Sequence, residues 1–421
     1  MPIKFNMCTM KNIASPSYLQ NNMKNLINIS VYVFGIILIS CIEEYKPTNA
    51  IQAFESHLVI EGQILSGDET IVFISKTKPV NSIEQPETIR NADVILIGLN
   101  GYISQRAIFD TENNRYVIPT YNLSEDTQYA IEVKLDGETY QSEYQPILST
   151  PEITEVNYLE QDNGISLRVS TKGTDEDARH YMWTYDEDWE LHAEIDITQE
   201  TNGEWMYDTT YYPLLSEEKN PYLYCWGHNE SSQIHIYSTD ELSTNEVKEH
   251  EFLFIPIDDV RISYLYSILL KQACLSEKGY EYYRLMKSYT QESSGLFAPA
   301  PGEVEGNVKC ISNPRVKVSG YIMASHINTK RIFIYESDLQ KITSQYTNCT
   351  PAYGYEQSTT VSGGWVRDWE KEIKIAAAVV YNEKPGIIDD SSIIYSRTCV
   401  NCLATNKATK KRPDFWPNNH E

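Results

Sequence analysis

The chain has 421 residues and a formal net charge of −24, with 41% hydrophobic and 11% aromatic residues. That composition excludes global disorder, and so strong a negative charge argues against nucleic acid or anionic lipid as a partner. It is compatible with cation binding or with a basic partner, and the length suffices for two domains of about 100–200 residues.

The first element is an apolar run from Ile27 to Ile39 that ends in Leu38-Ile39-Ser40-Cys41. It resembles a bacterial lipobox, in which the cysteine is lipidated and the chain is cut just before it. Met23-Lys24 and the apolar core fit a secretory signal, so residues 1–40 read as a signal peptide with Met23 as the true start. A spanning helix needs about 20 apolar residues. This run is shorter and is broken by Asn28 and Ser30. Cleavage removes Lys4, Lys11 and Lys24 and no acid, which takes the net charge from −24 to −27. The mature protein then begins at a lipidated Cys41. The acidic pair Glu43 and Glu44 resembles the surface-export signal of Bacteroidota lipoproteins. The expected location is therefore the outer membrane, facing the cell exterior. Residues 41–55 read as a tether.

The expected fold class is mainly β, with an N-terminal Ig-like β-sandwich over residues 56–150. Its strands are expected at His57–Leu65, Thr70–Ser75, Ala92–Gly98, Tyr102–Phe109, Tyr116–Ile118, Gln128–Leu135 and Glu138–Tyr144. Asn100-Gly101 and Asp136-Gly137 are hairpin-turn pairs. Short strands at this density suit a sandwich. Ser149-Thr150-Pro151 marks the expected boundary. Residues 151–421 read as a larger β-rich domain with one amphipathic helix at about 276–294. Tyr282, Leu285, Met286 and Tyr289 form its apolar stripe, and Ser276 is placed to cap it.

Six cysteines follow Cys41: Cys225, Cys274, Cys310, Cys349, Cys399 and Cys402. Outside the cytosol such thiols form disulfides. Cys399-x-x-Cys402 is read first as structural disulfides, with one or both linked to Cys349 or another distant cysteine. A zinc half-site and a redox pair are the alternatives. Asp175-Glu176-Asp177, Asp186-Glu187-Asp188, Glu190, Glu194 and Asp196 read as a solvated face rather than a calcium loop, because the EF-hand spacing is absent. The aromatics Trp183, Tyr185, Trp189 and Trp205 crowd beside them. They are the candidate ligand-binding residues, although an aromatic strand face is more often core. His228 and His235 read as ordinary hydrogen-bonded histidines. No nucleophile elbow, zincin motif, phosphate loop or dinucleotide fingerprint occurs. No catalytic residue, metal site or cofactor is therefore assigned, and the protein is not expected to be an enzyme.

Several stretches resemble one family in order along the chain. They include Leu58-Val59-Ile60-Glu61-Gly62, Ala92-Asp93-Val94, Tyr224-Cys225-Trp226, Gly279-Tyr280-Glu281-Tyr282-Tyr283 and Lys330-Arg331-Ile332-Phe333-Ile334. Cys399-Val400-Asn401-Cys402 and Pro413-Asp414-Phe415-Trp416 close the series. The chain is similar to the Bacteroidota surface lipoproteins of domain-of-unknown-function family 4249. That resemblance implies association with a TonB-dependent outer-membrane transporter, and nutrient capture or assistance to that transporter. A small molecule, a glycan or a peptide would be the ligand. A structural or adhesive surface protein is the alternative, and a glycan or peptide hydrolase comes third.

Overall fold

The computed structural model describes residues 56–79, 86–101, 103–174, 177–193, 199–201, 211–213, 223–290, 304–340, 352–353, 378–381, 393–395, 399, 401–405 and 407–417. Cys41, Glu43, Glu44, Trp205 and Cys349 lie outside the described residues, as does the end of the anticipated helix at Ser294.

The fold is mainly β. The first part carries β1 (Leu58–Ser66), β2 (Glu69–Lys76), β3 (Asp93–Gly98), β4 (Ser104–Arg106), β5 (Ile108–Asp110), β6 (Arg115–Pro119), β7 (Gln128–Leu135), β8 (Glu138–Ser142) and β9 (Gln145–Pro146). The middle carries β10 (Ile153–Gln161), β11 (Gly164–Lys172), β12 (His180–His192), β13 (Gln199–Thr201), β14 (Tyr211–Pro213), β15 (Tyr224–Glu230), β16 (His235–Ser238), β17 (Glu246–Pro256) and β18 (Leu265–Leu275). Helix α1 (Glu277–Thr290) precedes β19 (Val308–Cys310), β20 (Val318–Ser319), β21 (Ile322–Tyr335), β22 (Ala352–Tyr353), β23 (Ala378–Tyr381), β24 (Ile393–Tyr395) and β25 (Ala408–Thr409).

Turn chemistry sets the hairpins. Asp136 (φ 51°) and Gly137 (φ 84°) are both left-handed, as a two-residue turn between β7 and β8 requires, and Leu135 pairs with Glu138 across it. Asn100 and Gly101 do the same after β3. There the expected single return strand is split. β4 pairs with β3, whereas β5 crosses to the other sheet and pairs with β6.

One 11-stranded sheet runs in the order β25-β15-β12-β18-β21-β1-β2-β6-β5, with β16 on β12 and β20 on β1. Two smaller sheets, β19-β8-β7-β3-β4 and β10-β11-β17, accompany it. One core joins Ile60, Ile64, Val72 and Ile118 of the large sheet to Leu96, Tyr129 and Ile131 of β3 and β7. A second joins Tyr181, Trp183, Tyr266 and Ile268 to Ile165, Leu167 and Ile255 of β11 and β17. The anticipated boundary at residue 150 does not interrupt the large sheet. β1 pairs in parallel with β21, with Gly62 opposite Ile322. Val308, Cys310, Ile322 and Ala324 also enter the first core. Residues 56–421 form one compact unit.

Helix α1 starts as anticipated, with the Ser276 hydroxyl accepting from the Gly279 N–H at 3.2 Å. Tyr282 is buried with Met182, Tyr321 and Met323. Strand alternation puts Met182 on the face of β12 opposite Tyr181 and Trp183. The helix therefore covers the back of the large sheet, and Tyr282 donates to Glu61 Oε1 at 2.9 Å.

Candidate functional site

The acidic run Asp186-Glu187-Asp188-Trp189-Glu190 lies in β12, at the centre of the C-terminal half of the large sheet. It is not the solvated face anticipated for it. Glu187, Asp188 and Glu190 are 1%, 5% and 2% exposed. Burying a carboxylate is costly unless donors surround it, and each of these has them. Alternation sends Glu187 and Trp189 to one face and Asp186, Asp188 and Glu190 to the other.

On the first face, Glu187 accepts from Arg261 Nη1 at 2.5 Å, the Tyr266 hydroxyl at 2.7 Å and Asn229 Nδ2 at 3.0 Å. Arg261 follows the tight turn begun by Asp259, whose carboxylate accepts from the Arg261 backbone N–H at 2.9 Å and from its guanidinium. Burial works against the Arg261 charge. The Asp259 hydrogen bonds and the Glu187 and Asp259 charges outweigh it and raise its pKa above the ordinary value. Burial, and then the Glu187 charge, push Tyr266 well up.

On the second face, Asp186 meets Lys271 at 3.1 Å. Asp188 holds His228 Nδ1 at 2.8 Å and Arg331 at 3.3 Å. The hydrogen bond to Asp188 raises the His228 pKa. Glu190 accepts from the Trp416 indole at 2.8 Å and contacts His192.

A shallow pocket of about 230 Å³ opens on the first face, lined by Trp189, Asn229, Asp259, Val260, Arg261 and Lys407. Of the aromatic candidates among the described residues, only Trp189 lines it. Trp183 and Tyr185, 0% and 5% exposed, are core residues rather than a ligand surface. Trp183 donates to Gln272 Oε1 at 2.8 Å, which satisfies its indole inside the fold. Arg261, Asn229 and Lys407 were not legible as site residues, because lone polar residues in separate segments carry no motif.

Cys402 is bonded to Cys225, 177 residues away, so it supplies no thiolate to a zinc site and no redox pair with Cys399. Cys399 is also disulfide-bonded. Cys274 and Cys310 are free and buried, and burial pushes the Cys274 thiol up to about 12. Among the described residues no cluster of three or more His, Cys, Asp or Glu side chains could hold a metal. The tail beyond Cys402 pairs through β25 with β15. It then lays Phe415 under Arg331, 3.5 Å from the ring centre, and buries Trp416.

His235 has a measurable consequence. Burial, and then the nearby Lys287 charge, lower it from 6.5 to about 4. An unfolded histidine takes up its proton near 6.5 and this one only near 4, so stability is complete above the higher value and falls as pH drops toward the lower. The loss should be on the order of 2 kcal/mol, allowing for partial exposure. Urea unfolding between pH 7.5 and 4.5 reads it. His235→Gln should flatten that part of the profile, and an unchanged slope would contradict neutral burial.

A family profile described as a domain of unknown function (DUF4249) matches residues 42–331, more than half of the chain. The chain belongs to the DUF4249 family. No curated protein matches it. The DUF4249 match includes β12, Asn229 and Arg261 and ends at Arg331. Lys407, Cys402 and Trp416 therefore come from the segment beyond it.

Proposed function

We propose that this DUF4249 protein is a non-enzymatic lipoprotein, anchored through Cys41 to the outer membrane and facing the exterior. There it binds a ligand for, or assists, a TonB-dependent nutrient transporter. The observation that carries the reading is the state of the acidic strand. Asp186, Glu187, Asp188 and Glu190 are each matched by a donor from another element. Carboxylates held this way cross-link a scaffold, whereas acid–base chemistry asks for a carboxyl group that can reach substrate and change its protonation. The lipobox, the Glu43–Glu44 pair and the family resemblance support the proposed address and partner.

Affinity purification of the full chain from solubilised envelopes tests it. A β-barrel transporter should co-purify with the wild type, and its yield should drop at least tenfold with Cys41→Ser. Recovery of no β-barrel protein with the wild type would overturn the proposal.

A further inference from the structure

We infer that the pocket between Trp189, Arg261 and Lys407 is a binding site for a small carboxylate, completed by the C-terminal segment. The inference deepens the ligand-binding reading above and does not depend on the anchor or the transporter.

The lining is rich in donors whose partners are incomplete. Trp189 is 4% exposed, yet its indole Nε1 is buried with no hydrogen-bond partner. That nitrogen has no exposed surface and lies against the Gly227 backbone, so the indole reports on the pocket from its wall, and the donors offered to a ligand are those of Arg261 and Lys407. Arg261 gives one hydrogen bond from Nη1 to Glu187 and one from Nη2 to Asp259. Each of those nitrogens carries a second N–H. Lys407 gives one ammonium proton to Asn229 Oδ1 and forms no ion pair with a described carboxylate, which leaves further protons to donate. The acceptors, by contrast, are mostly occupied. Asp259 takes the Arg261 backbone N–H and the Nε and Nη2 edge of its guanidinium, and Glu187 takes Arg261 Nη1, Tyr266 and Asn229. A ligand that brings only acceptors matches this lining. A carboxylate does so, and guanidinium and ammonium donors bind it through charge-assisted hydrogen bonds.

Two backbone features support a built site. Gly227 lies beneath the indole, where a Cβ would sit 2.1 Å from the Trp189 ring, so only bare backbone lets the ring lie there. Lys407 has φ 64°, a conformation uncommon outside glycine. It is placed there by a segment tied down through Cys225–Cys402 and the β25–β15 pairing. At about 230 Å³ the pocket is smaller than the ~300–1,000 Å³ typical of drug-sized ligands. It suits a carboxylate with a small remainder.

The test is an indole N–H titration on the ¹⁵N-labelled full chain in detergent, with the Trp189 signal identified by Trp189→Phe. Sodium acetate should move that signal saturably. Sodium chloride and acetamide at matched concentration should not. Lys407→Met should weaken the acetate response at least tenfold while the other resonances keep their positions, which shows the fold intact. An unmoved Trp189 signal, as water alone in the pocket would give, overturns the inference. So does an equal response to acetamide or chloride, or an undiminished response in Lys407→Met. No transporter takes part, so failure here is distinct from failure of the co-purification.

Discussion

Glu187→Ala should destabilise the folded body by about 3–5 kcal/mol, the usual consequence of removing one partner from a buried charge pair. Glu187 is 1% exposed and is the meeting point of Arg261, Tyr266 and Asn229. Without it, a buried hydroxyl and one arm of a guanidinium lose their acceptor together. Urea unfolding of the wild type and variant measures the difference. Glu187→Gln keeps the shape and one acceptor oxygen, so it should cost less. A double-mutant cycle with Arg261→Met isolates the pair, because residues in one network are not additive. A loss below about 1 kcal/mol for Glu187→Ala would show that Asp259 alone sustains Arg261.

Removing the Cys225–Cys402 bond should have an effect of similar size. The cross-link spans 177 residues, and the chain-entropy account assigns a loop of that length about 5 kcal/mol, with measured values commonly nearer 2–4. Cys225→Ala/Cys402→Ala should therefore lower the thermal midpoint by several degrees. It should also make the segment around β25 a site of early proteolysis, since its remaining ties to β15 are few. Equal midpoints and equal cleavage would mean that Trp416 and Phe415 hold the tail unaided.

Much of the fold was legible because local chemistry dictates it. Asp136-Gly137 could hardly be anything but a tight turn, and Ser276 followed by the Tyr282-Leu285-Met286 stripe marked the helix. The mainly β class followed from strand-length apolar blocks between such turns. The state of the acidic run was not legible. Asp186 to Glu190 read as a solvated stretch because their partners stand in β15, β18, β21, the Asp259 turn and the tail, tens to hundreds of residues away. A charge pattern in one strand holds no information about cations that topology brings to it. Cys402 reads in sequence as linked to a distant cysteine, and the fold supplies Cys225 as that partner, which spacing alone could not name. Trp183 and Tyr185 read in sequence as candidate ligand-binding residues, and their place in the core is fixed only by β11 and β17, which cover them.

The parallel pairing of β1 with β21 has a consequence for how the chain is made. Gly62 finds Ile322 only after some 260 intervening residues have been synthesised. Until then β1 offers an open edge, and the first core lacks Val308, Cys310, Ile322 and Ala324. Folds dominated by such distant pairings form slowly and expose unpaired strands meanwhile. A nascent chain that emerges amino end first would thus carry its earliest strand unfinished almost to the last quarter of synthesis. Chains truncated before residue 322 should aggregate rather than yield a smaller folded domain.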